Sequence, residues 1–226
     1  MKFLICLLLL LTFLLPALAQ QSPVPIEKEP LHLLKFENQY VRAFDVFIPT
    51  GKTTLFHIHK HDGVGVRLTD SRIRDEPQEG APEEISFKRG EVSFAYRPNP
   101  LTHRVSNIGS TDFRNIFIET LPSAGASTDA KPLENVVGYT LALENNRVRV
   151  LRLVLAPGES TEMRAHALRT LSIVVSKGKI VVETPDKKPQ TKKFKPGDTE
   201  WHEVGTKYSL KNVGSAAFEI VDIELK

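Results

Sequence analysis

Short apolar segments separated by turn residues recur along most of the chain. Their richness in β-branched and aromatic residues is typical of strands. Glycine, proline and asparagine residues punctuate the segments, and no stretch has a convincing helical period. The clearest segments are 41–48, 148–155, 171–175, 180–183 and 218–225. The pattern therefore predicts an all-β fold, a sandwich or a barrel.

The same pattern occurs twice, 107 residues apart. Residues 36–42 resemble residues 143–149, and the offset continues without a gap over 38 pairs, eight of which are identical. Chance would give about two identities at average composition. Further along, the second copy becomes two residues shorter, since residues 107–110 match residues 212–215. The sequence therefore predicts a tandem duplication of a domain of roughly 90 to 100 residues.

The first residues have the features of an export signal. A basic start precedes an apolar run over residues 3–15, and residues 17–19 supply the small-x-small pattern that signal peptidase reads. A run of this length is too short to span a membrane, which needs about 20 residues. We therefore expect residues 1–19 to be a signal peptide cleaved before Gln20. The expected location is periplasmic or secreted, with no membrane contact after cleavage.

The two copies and the segment between them define the expected domains. We predict a first barrel over residues 30–121 and a second over residues 134–226. Residues 122–133 are dominated by small, polar and turn-forming residues, so they are predicted to be a linker.

Composition narrows the function. Thirty Lys and Arg residues against 27 Asp and Glu residues give a net charge of +3, too small and too dispersed to favour nucleic-acid binding. The only cysteine, Cys6, lies in the predicted signal peptide, which excludes disulfides and thiolate chemistry from the mature chain. An acidic loop (75–84) and a basic loop (187–193) leave a homodimer open as an alternative to two solvated hairpins.

Histidines carry the clearest chemical signal. On a strand, His57 and His59 share one face, and His61 can share it too. Two imidazoles on one face can hold one metal ion, with a third ligand from a distant strand, for which His103 is the candidate. His32 and His202 find no match in the other copy and are interpreted as incidental. Trp201 is interpreted as a core residue.

Two motifs resemble those of a known superfamily. Gly51 followed by His57-x-His59 resembles the first metal motif of the cupins, and residues 98–107, with His103 followed four residues later by Asn, resemble the second. The resemblance extends over nearly the whole predicted mature chain. It implies two tandem jelly-roll β-barrels, an arrangement called a bicupin.

The resemblance also implies a cofactor. One divalent metal ion is expected in the first barrel, with Fe(II) favoured and Mn(II), Ni(II) or Zn(II) as alternatives. Cupins usually carry a glutamate ligand three or four residues after the second histidine, but Asp62 and Gly63 stand there in this chain. We therefore expect a three-histidine site, with His61 or Asp62 as an auxiliary group. The expected ligands are His57, His59 and His103.

The second copy departs from this ligand set. At the three corresponding positions it has Arg164, His166 and Tyr208, a poor set for a metal ion. One interpretation is a structural barrel with a degenerate site. The other is a metal-free ligand pocket lined by these three residues.

The expected function follows from the first barrel. The sequence favours a metal-binding bicupin that acts on a small chelating organic anion, as a dioxygenase-like enzyme if it is an enzyme. The alternatives are a bicupin that binds a small ligand without turnover and one whose metal is structural. The expected partner is a small molecule in each of the first two cases.

Overall fold

The protein is described by a computed structural model over residues 22–124 and 138–226. The predicted signal peptide, residues 1–19, lies outside the described residues. So do most of the predicted linker and the first residues of the predicted second barrel.

The first barrel contains ten strands and a short 3₁₀ helix, Ile26–Lys28, near its start. The strands are β1 (Val24–Pro25), β2 (His32–Glu37), β3 (Val41–Ile48), β4 (His57–His59), β5 (Gly63–Arg67), β6 (Ser71–Pro77), β7 (Glu83–Phe87), β8 (Val92–Ala95), β9 (Leu101–Asn107) and β10 (Phe113–Thr120). β1 precedes the predicted boundary at residue 30 and pairs in parallel with β4. A second 3₁₀ helix, Pro122–Ala124, follows β10.

The second barrel contains nine strands within the described residues. They are β11 (Tyr139–Glu144), β12 (Val148–Leu155), β13 (Arg164–Ala165), β14 (Thr170–Val174), β15 (Gly178–Thr184), β16 (Lys187–Phe194), β17 (Thr199–His202), β18 (Lys207–Asn212) and β19 (Phe218–Leu225).

Both barrels have the same topology. In the first, one sheet has the order β1-β4-β9-β6-β7 and the other the order β2-β3-β10-β5-β8. The second repeats these orders as β13-β18-β15-β16 and β11-β12-β19-β14-β17, and its described residues, 138–226, contain no counterpart of β1. Two facing sheets with these crossovers form a jelly roll. The predicted all-β fold is confirmed.

The turns follow the repeat as well. Gly90 and Gly197 lie 107 residues apart and have φ angles of 80° and 87°. Each sits in a four-residue turn closed by a backbone hydrogen bond of 3.0 Å. Because positive φ is costly for residues with a side chain, glycine is favoured at both places.

The core has three parts. One cluster of buried apolar residues lies within each barrel, and the third joins both barrels through the sheets that contain β3 and β12. Half-buried Trp201 packs against this third cluster, and its ring stacks with those of Phe36 (5.8 Å) and Tyr40 (5.9 Å) of the first barrel. Trp201 is thus a core residue of the contact between the barrels.

Over residues 22–124 and 138–226, no helix is long and apolar enough to cross a membrane.

Candidate metal centre

Three histidines meet because two strands pair in register. Residues 57 and 59 of β4 point to the same side of the sheet, and both are buried, whereas Ile58 between them is half-buried. β9 runs antiparallel to β4 and places His103 directly opposite His57. Since side chains opposite each other in an antiparallel pair are neighbours, all three imidazoles reach one space.

The ring nitrogens of these histidines form a compact group. One nitrogen atom from each of His57, His59 and His103 lies within 4.8 Å of the other two. The ring centroids are 4.6 to 5.0 Å apart. All three residues are at most 8% exposed. Metal–imidazole bonds of about 2.0–2.1 Å require nitrogen atoms slightly closer together than this upper limit, so small side-chain shifts would bring all three onto one ion.

Hydrogen bonds orient two of the rings. His57 Nδ1 donates to the Leu55 carbonyl oxygen at 2.9 Å, and His103 Nδ1 donates to Asp75 Oδ1 at 2.7 Å. Both acceptors require the proton on Nδ1, so Nε2 presents a lone pair. The two Nε2 atoms are buried without a hydrogen-bond partner, and so is His59 Nδ1. Orphaned nitrogens are costly unless a ligand completes them, so the donor set fits a divalent metal ion.

Two of these histidines, His57 and His59, are neutral near pH 7. Burial, with the nearby His32 and His103 adding to the effect, lowers the pKa of His57 to about 3. Burial also lowers the pKa of His59 well below its usual range. Neutral imidazole is the form that binds metal, so no proton has to be displaced from these two rings.

The auxiliary candidates lie outside the three-nitrogen group. Asp62 Oδ1 accepts a hydrogen bond from the backbone N–H of Arg97 at 2.6 Å, and the Asp62 carbonyl accepts one from Thr120. His61 is half-buried near the carboxylate of Glu119. Both side chains thus interact with groups other than the three ligand nitrogens.

Sequence reasoning missed His32. Its ring centroid lies 4.6 Å from that of His57, and its Nδ1 is hydrogen-bonded to Glu29 Oε2 at 2.5 Å. The register shows why the repeat hid it. His32 pairs with Val46 in the first barrel. Val46 corresponds to Leu153 of the second barrel, which pairs with Tyr139, so a tyrosine occupies the position that matches His32.

The metal centre opens on a cavity of about 190 Å³ whose lining includes Arg67 and Arg97. Arg67 is buried, and its guanidinium donates to Asn115 at 2.6 Å and Ser93 at 3.1 Å while lying 4.0 Å from the Phe87 ring centre. Burial lowers its pKa to about 10, so it is a cation at neutral pH. The carboxylate of Glu91 also acts on this cation, but its hydrogen-bond partners are neutral, so its charge can attract an anion into the cavity.

The predicted second site is also brought together. Arg164 opposes Tyr208 across β13 and β18, and the ring of His166 lies 5.2 Å from that of Tyr208. Arg164 forms an ion pair with Glu224 at 3.4 Å, and only Tyr208 of the three lines the cavity of this barrel. Among the described residues, the first barrel alone has three metal-ligating groups gathered in this way.

His202 was missed in the same way as His32. Its ring stacks on that of His166 at 4.7 Å and lies 5.0 Å from that of Tyr208. His202 opposes Thr170 in the second barrel. The corresponding pair in the first barrel is Ala95 and Gly63, so Ala95 occupies the position of His202. The corresponding position therefore has no histidine to match.

Comparison with solved structures places the fold. The alignment with a cupin 2 conserved barrel domain protein from Leptotrichia buccalis covers 86% of this chain and 88% of that protein, at 11% identity and a TM-score of 0.53. Oxalate decarboxylase from Bacillus subtilis covers 82% of this chain and 68% of its own, at 10% identity and a TM-score of 0.57. AerE from Microcystis aeruginosa covers 88% and 98%, at 10% identity and a TM-score of 0.57. No protein-family model and no curated protein matches the sequence.

Fold and site together define the class of protein. The chain has the fold of a bicupin, with two jelly-roll barrels in tandem. Its first barrel carries a three-histidine centre that suits a divalent metal ion. The fold resemblance is at low identity, so the chemistry has to be argued from this site.

Proposed function

We propose that the protein is a metal-dependent bicupin that binds a small chelating organic anion in its first barrel and promotes its oxygen-dependent cleavage. The observation that carries the proposal is the meeting of three unpartnered, buried imidazole nitrogens with a cavity that contains the cationic Arg67. A bound metal ion would give the three unpartnered imidazole nitrogens a partner. A bound anion would give the buried guanidinium of Arg67 a counter-ion.

The chain's residues divide the work. A bound divalent ion would supply Lewis acidity and, if redox-active, a route for electrons between substrate and O₂. Three neutral histidines leave its +2 charge intact and its remaining coordination positions open. Arg67 and Arg97 would orient the anion by charge-assisted hydrogen bonds. Apolar lining residues such as Phe117 and Val46 would exclude water.

Fe(II) is the ion we favour, with Mn(II) as the first alternative. Imidazole ligands suit iron, and an O₂ reaction needs a redox-active ion. Mn(II) is supported by a structural neighbour, since the oxalate decarboxylase of Bacillus subtilis has Mn(II) centres. Ni(II) and Zn(II) remain in the test because imidazole binds both.

The test combines metal content with oxygen consumption. The purified protein is analysed by mass spectrometry beside His57→Ala/His59→Ala, with His61→Ala as the matched histidine control. We expect about one metal ion per chain in the wild type and the control, and loss of at least 90% of it in the double variant. No metal in any protein, or equal metal in all three, contradicts the proposal.

Turnover is tested on the metal-loaded protein with an oxygen electrode. Chelating enolates and dicarboxylates are supplied as substrates, and Arg67→Met is compared with the wild type. Because the guanidinium is proposed to hold the anion, the variant should raise the KM about tenfold or more. Anion binding without oxygen uptake would leave a binding protein in place of an enzyme.

We also propose that the protein is exported to the periplasm or secreted after cleavage before Gln20, and that its partner is a small molecule and not a nucleic acid. Cell fractionation and N-terminal sequencing of the mature chain test the first point. Light scattering during gel filtration distinguishes a monomer from a homodimer joined through the acidic segment 75–84 and the basic segment 187–193, which forms part of strand β16 instead of the predicted loop.

A further inference from the structure

A second cavity, of about 170 Å³, lies inside the second barrel. Equivalent strands enclose both cavities. Phe87 of β7 and Phe194 of β16 line them at matching places, as do His103 of β9 and Tyr208 of β18. The second cavity is therefore the counterpart of the metal cavity, in a barrel where two of the three metal-ligand positions have other residues.

The charged groups of the first cavity are absent from the second. Arg67 opposes Asn115 across β5 and β10, and the corresponding pair across β14 and β19 is Val174 and Ile220. Asp75 pairs with β9 in the first barrel, and Val182 pairs with the equivalent strand, β18, at the same place in the second. Asp75 therefore also corresponds to an apolar residue. Val174, Ile220 and Val182 all line the second cavity. The anion-binding character of the first cavity has thus been removed.

The remaining polar groups of the second cavity carry no net charge. Burial lowers the pKa of His202 and raises the pKa of Tyr208, which leaves both neutral near pH 7. Lys192 and Glu200, both partly exposed at the open end, form an ion pair of 2.6 Å with each other. A charged ligand would find no unpaired counter-ion among these lining residues and would lose its hydration.

Two polar atoms can still hold a ligand. Tyr208 Oη and His202 Nε2 are 3.5 Å apart, longer than a strong hydrogen bond. A ligand hydroxyl group could therefore form better bonds with both than they form with each other. The rest of the wall combines five apolar residues with the neutral hydroxyl groups of Ser172, Thr184 and Thr206 and the Lys192–Glu200 ion pair. A cavity of about 150 Å³ with apolar walls is known to accept one benzene ring.

We propose that the second barrel binds a small uncharged ligand that consists of one apolar ring with a hydroxyl group, of the size and chemistry of phenol. Its ring would pack against Val182, Phe194 and Ile220, and its hydroxyl group would bond to Tyr208 and His202. Such a site would make the protein a two-ligand molecule, with an anion at the metal of one barrel and a neutral ring compound in the other.

Phenol is the probe for the test, and binding is measured by calorimetry on the whole protein after treatment with a chelator. A ligand of about seven non-hydrogen atoms should bind with a Kd of roughly 1 mM or lower. Val182→Phe, which fills the cavity, should weaken binding at least tenfold. The matched control Val154→Phe changes an exposed position on β12 and should leave the Kd unchanged.

Tyr208→Phe removes the hydrogen-bonding hydroxyl group and leaves the volume of the cavity almost unchanged, so it tests the hydrogen bond alone. It should weaken phenol binding about fivefold, the effect of one hydrogen bond, and leave toluene binding unchanged. The proposal is overturned by an absence of saturable binding at about 10 mM phenol, by a phenol Kd that is unchanged in Val182→Phe or in Tyr208→Phe, or by benzoate binding that is tighter than phenol binding and is weakened by Val182→Phe. Because the metal has been removed, failure here leaves the proposed function of the first barrel untouched.

Discussion

At the scale of single residues, the metal centre depends on what lies behind its ligands. Asp75 accepts the Nδ1 proton of His103 at 2.7 Å and so directs Nε2 towards the other two imidazoles. A carboxylate in this position also makes the imidazole a better electron donor. Glu29 bonds to His32 in a similar way at 2.5 Å, beside His57.

We predict that Asp75→Asn weakens metal binding about 10- to 100-fold. Asparagine can still accept the proton of His103, so ring orientation is kept while the negative charge is lost. Competition with a chromophoric chelator measures the affinity. Asp186→Asn, in the exposed turn between β15 and β16, is the control. Equal affinities in the two variants would show that Asp75 has no part in the site.

A second residue-scale prediction concerns pH. Burial, with the neighbouring His202 and Arg164, lowers the pKa of His166 to about 3, whereas an unfolded histidine has a pKa of about 6.5. Between those values the unfolded chain binds a proton that the folded chain does not. The contribution of neutral His166 to the free energy of unfolding is therefore fully present above about pH 6.5. It decreases as the pH falls towards 3, by up to about 1.4 kcal/mol per pH unit.

Replacing His166 by glutamine should make this decrease shallower by about that amount per pH unit between pH 6 and 4.5. Urea unfolding of both proteins, each metal-free so that metal release does not contribute, gives the free energies of unfolding. Parallel curves for the two proteins would contradict the argument.

At the scale of elements, a repeated asparagine fixes the loop between the last two strands of each barrel. Asn212 donates to the carbonyls of Leu155 and Ala216 at 2.9 and 2.8 Å, and it accepts from the Gly214 N–H at 2.9 Å. Asn107 makes the corresponding three bonds in the first barrel. Both side chains are buried, so these bonds explain why the two copies share the motif.

We predict that Asn212→Ala lowers the free energy of unfolding by about 3 kcal/mol, since three hydrogen bonds are lost at roughly 1 kcal/mol each. Asn107→Ala should have a similar effect. Asn99→Ala, in an exposed loop, is the control and should change stability by less than about 0.5 kcal/mol. Denaturant unfolding measures all three, and a loss below about 1 kcal/mol for both buried positions would contradict the assignment.

Strands were the most predictable feature because their signal is local. The predicted segments 41–48, 148–155 and 218–225 coincide with β3, β12 and β19. The meeting of His57 and His103 was also predictable, since the motifs of both are in the sequence. What joins His32 to that group is the pairing of β2 with β3 and the curvature of the barrel, which no local pattern contains. The exchange of Arg67 for Val174 likewise acquires meaning only through the register.

At the scale of the whole molecule, the two barrels share a core. Trp201 of β17 stacks with two aromatic rings of the first barrel, and the Arg169 guanidinium lies 4.4 Å from the ring centre of Tyr40. The ion pair between Arg89 and Glu219, at 3.3 Å, also crosses the contact. Because the barrels share an apolar core, we expect them to unfold together in one cooperative transition.

Trp201→Ala should therefore uncouple the barrels. We expect a loss of roughly 2–4 kcal/mol, because the side chain is large and half-buried, and two calorimetric transitions in place of one. Trp201→Phe, which keeps an aromatic ring in the stack, should retain one transition. A single transition in the alanine variant, with little loss of stability, would mean that the contact does not couple the barrels.

The duplication has produced two barrels of one topology and different chemistry. The first gathers three metal-ligating nitrogens beside cationic arginines, and the second keeps the cavity while its lining loses these charges. From this difference we expect one divalent metal ion per chain, bound in the first barrel.

The most direct test is an anomalous diffraction map from crystals of the whole protein soaked in Mn(II). We predict one strong peak per chain, within about 2.0–2.3 Å of a ring nitrogen of each of His57, His59 and His103, and no peak in the second barrel. Absence of a peak at the three histidines, or a peak of equal height beside His166 and His202, would contradict it.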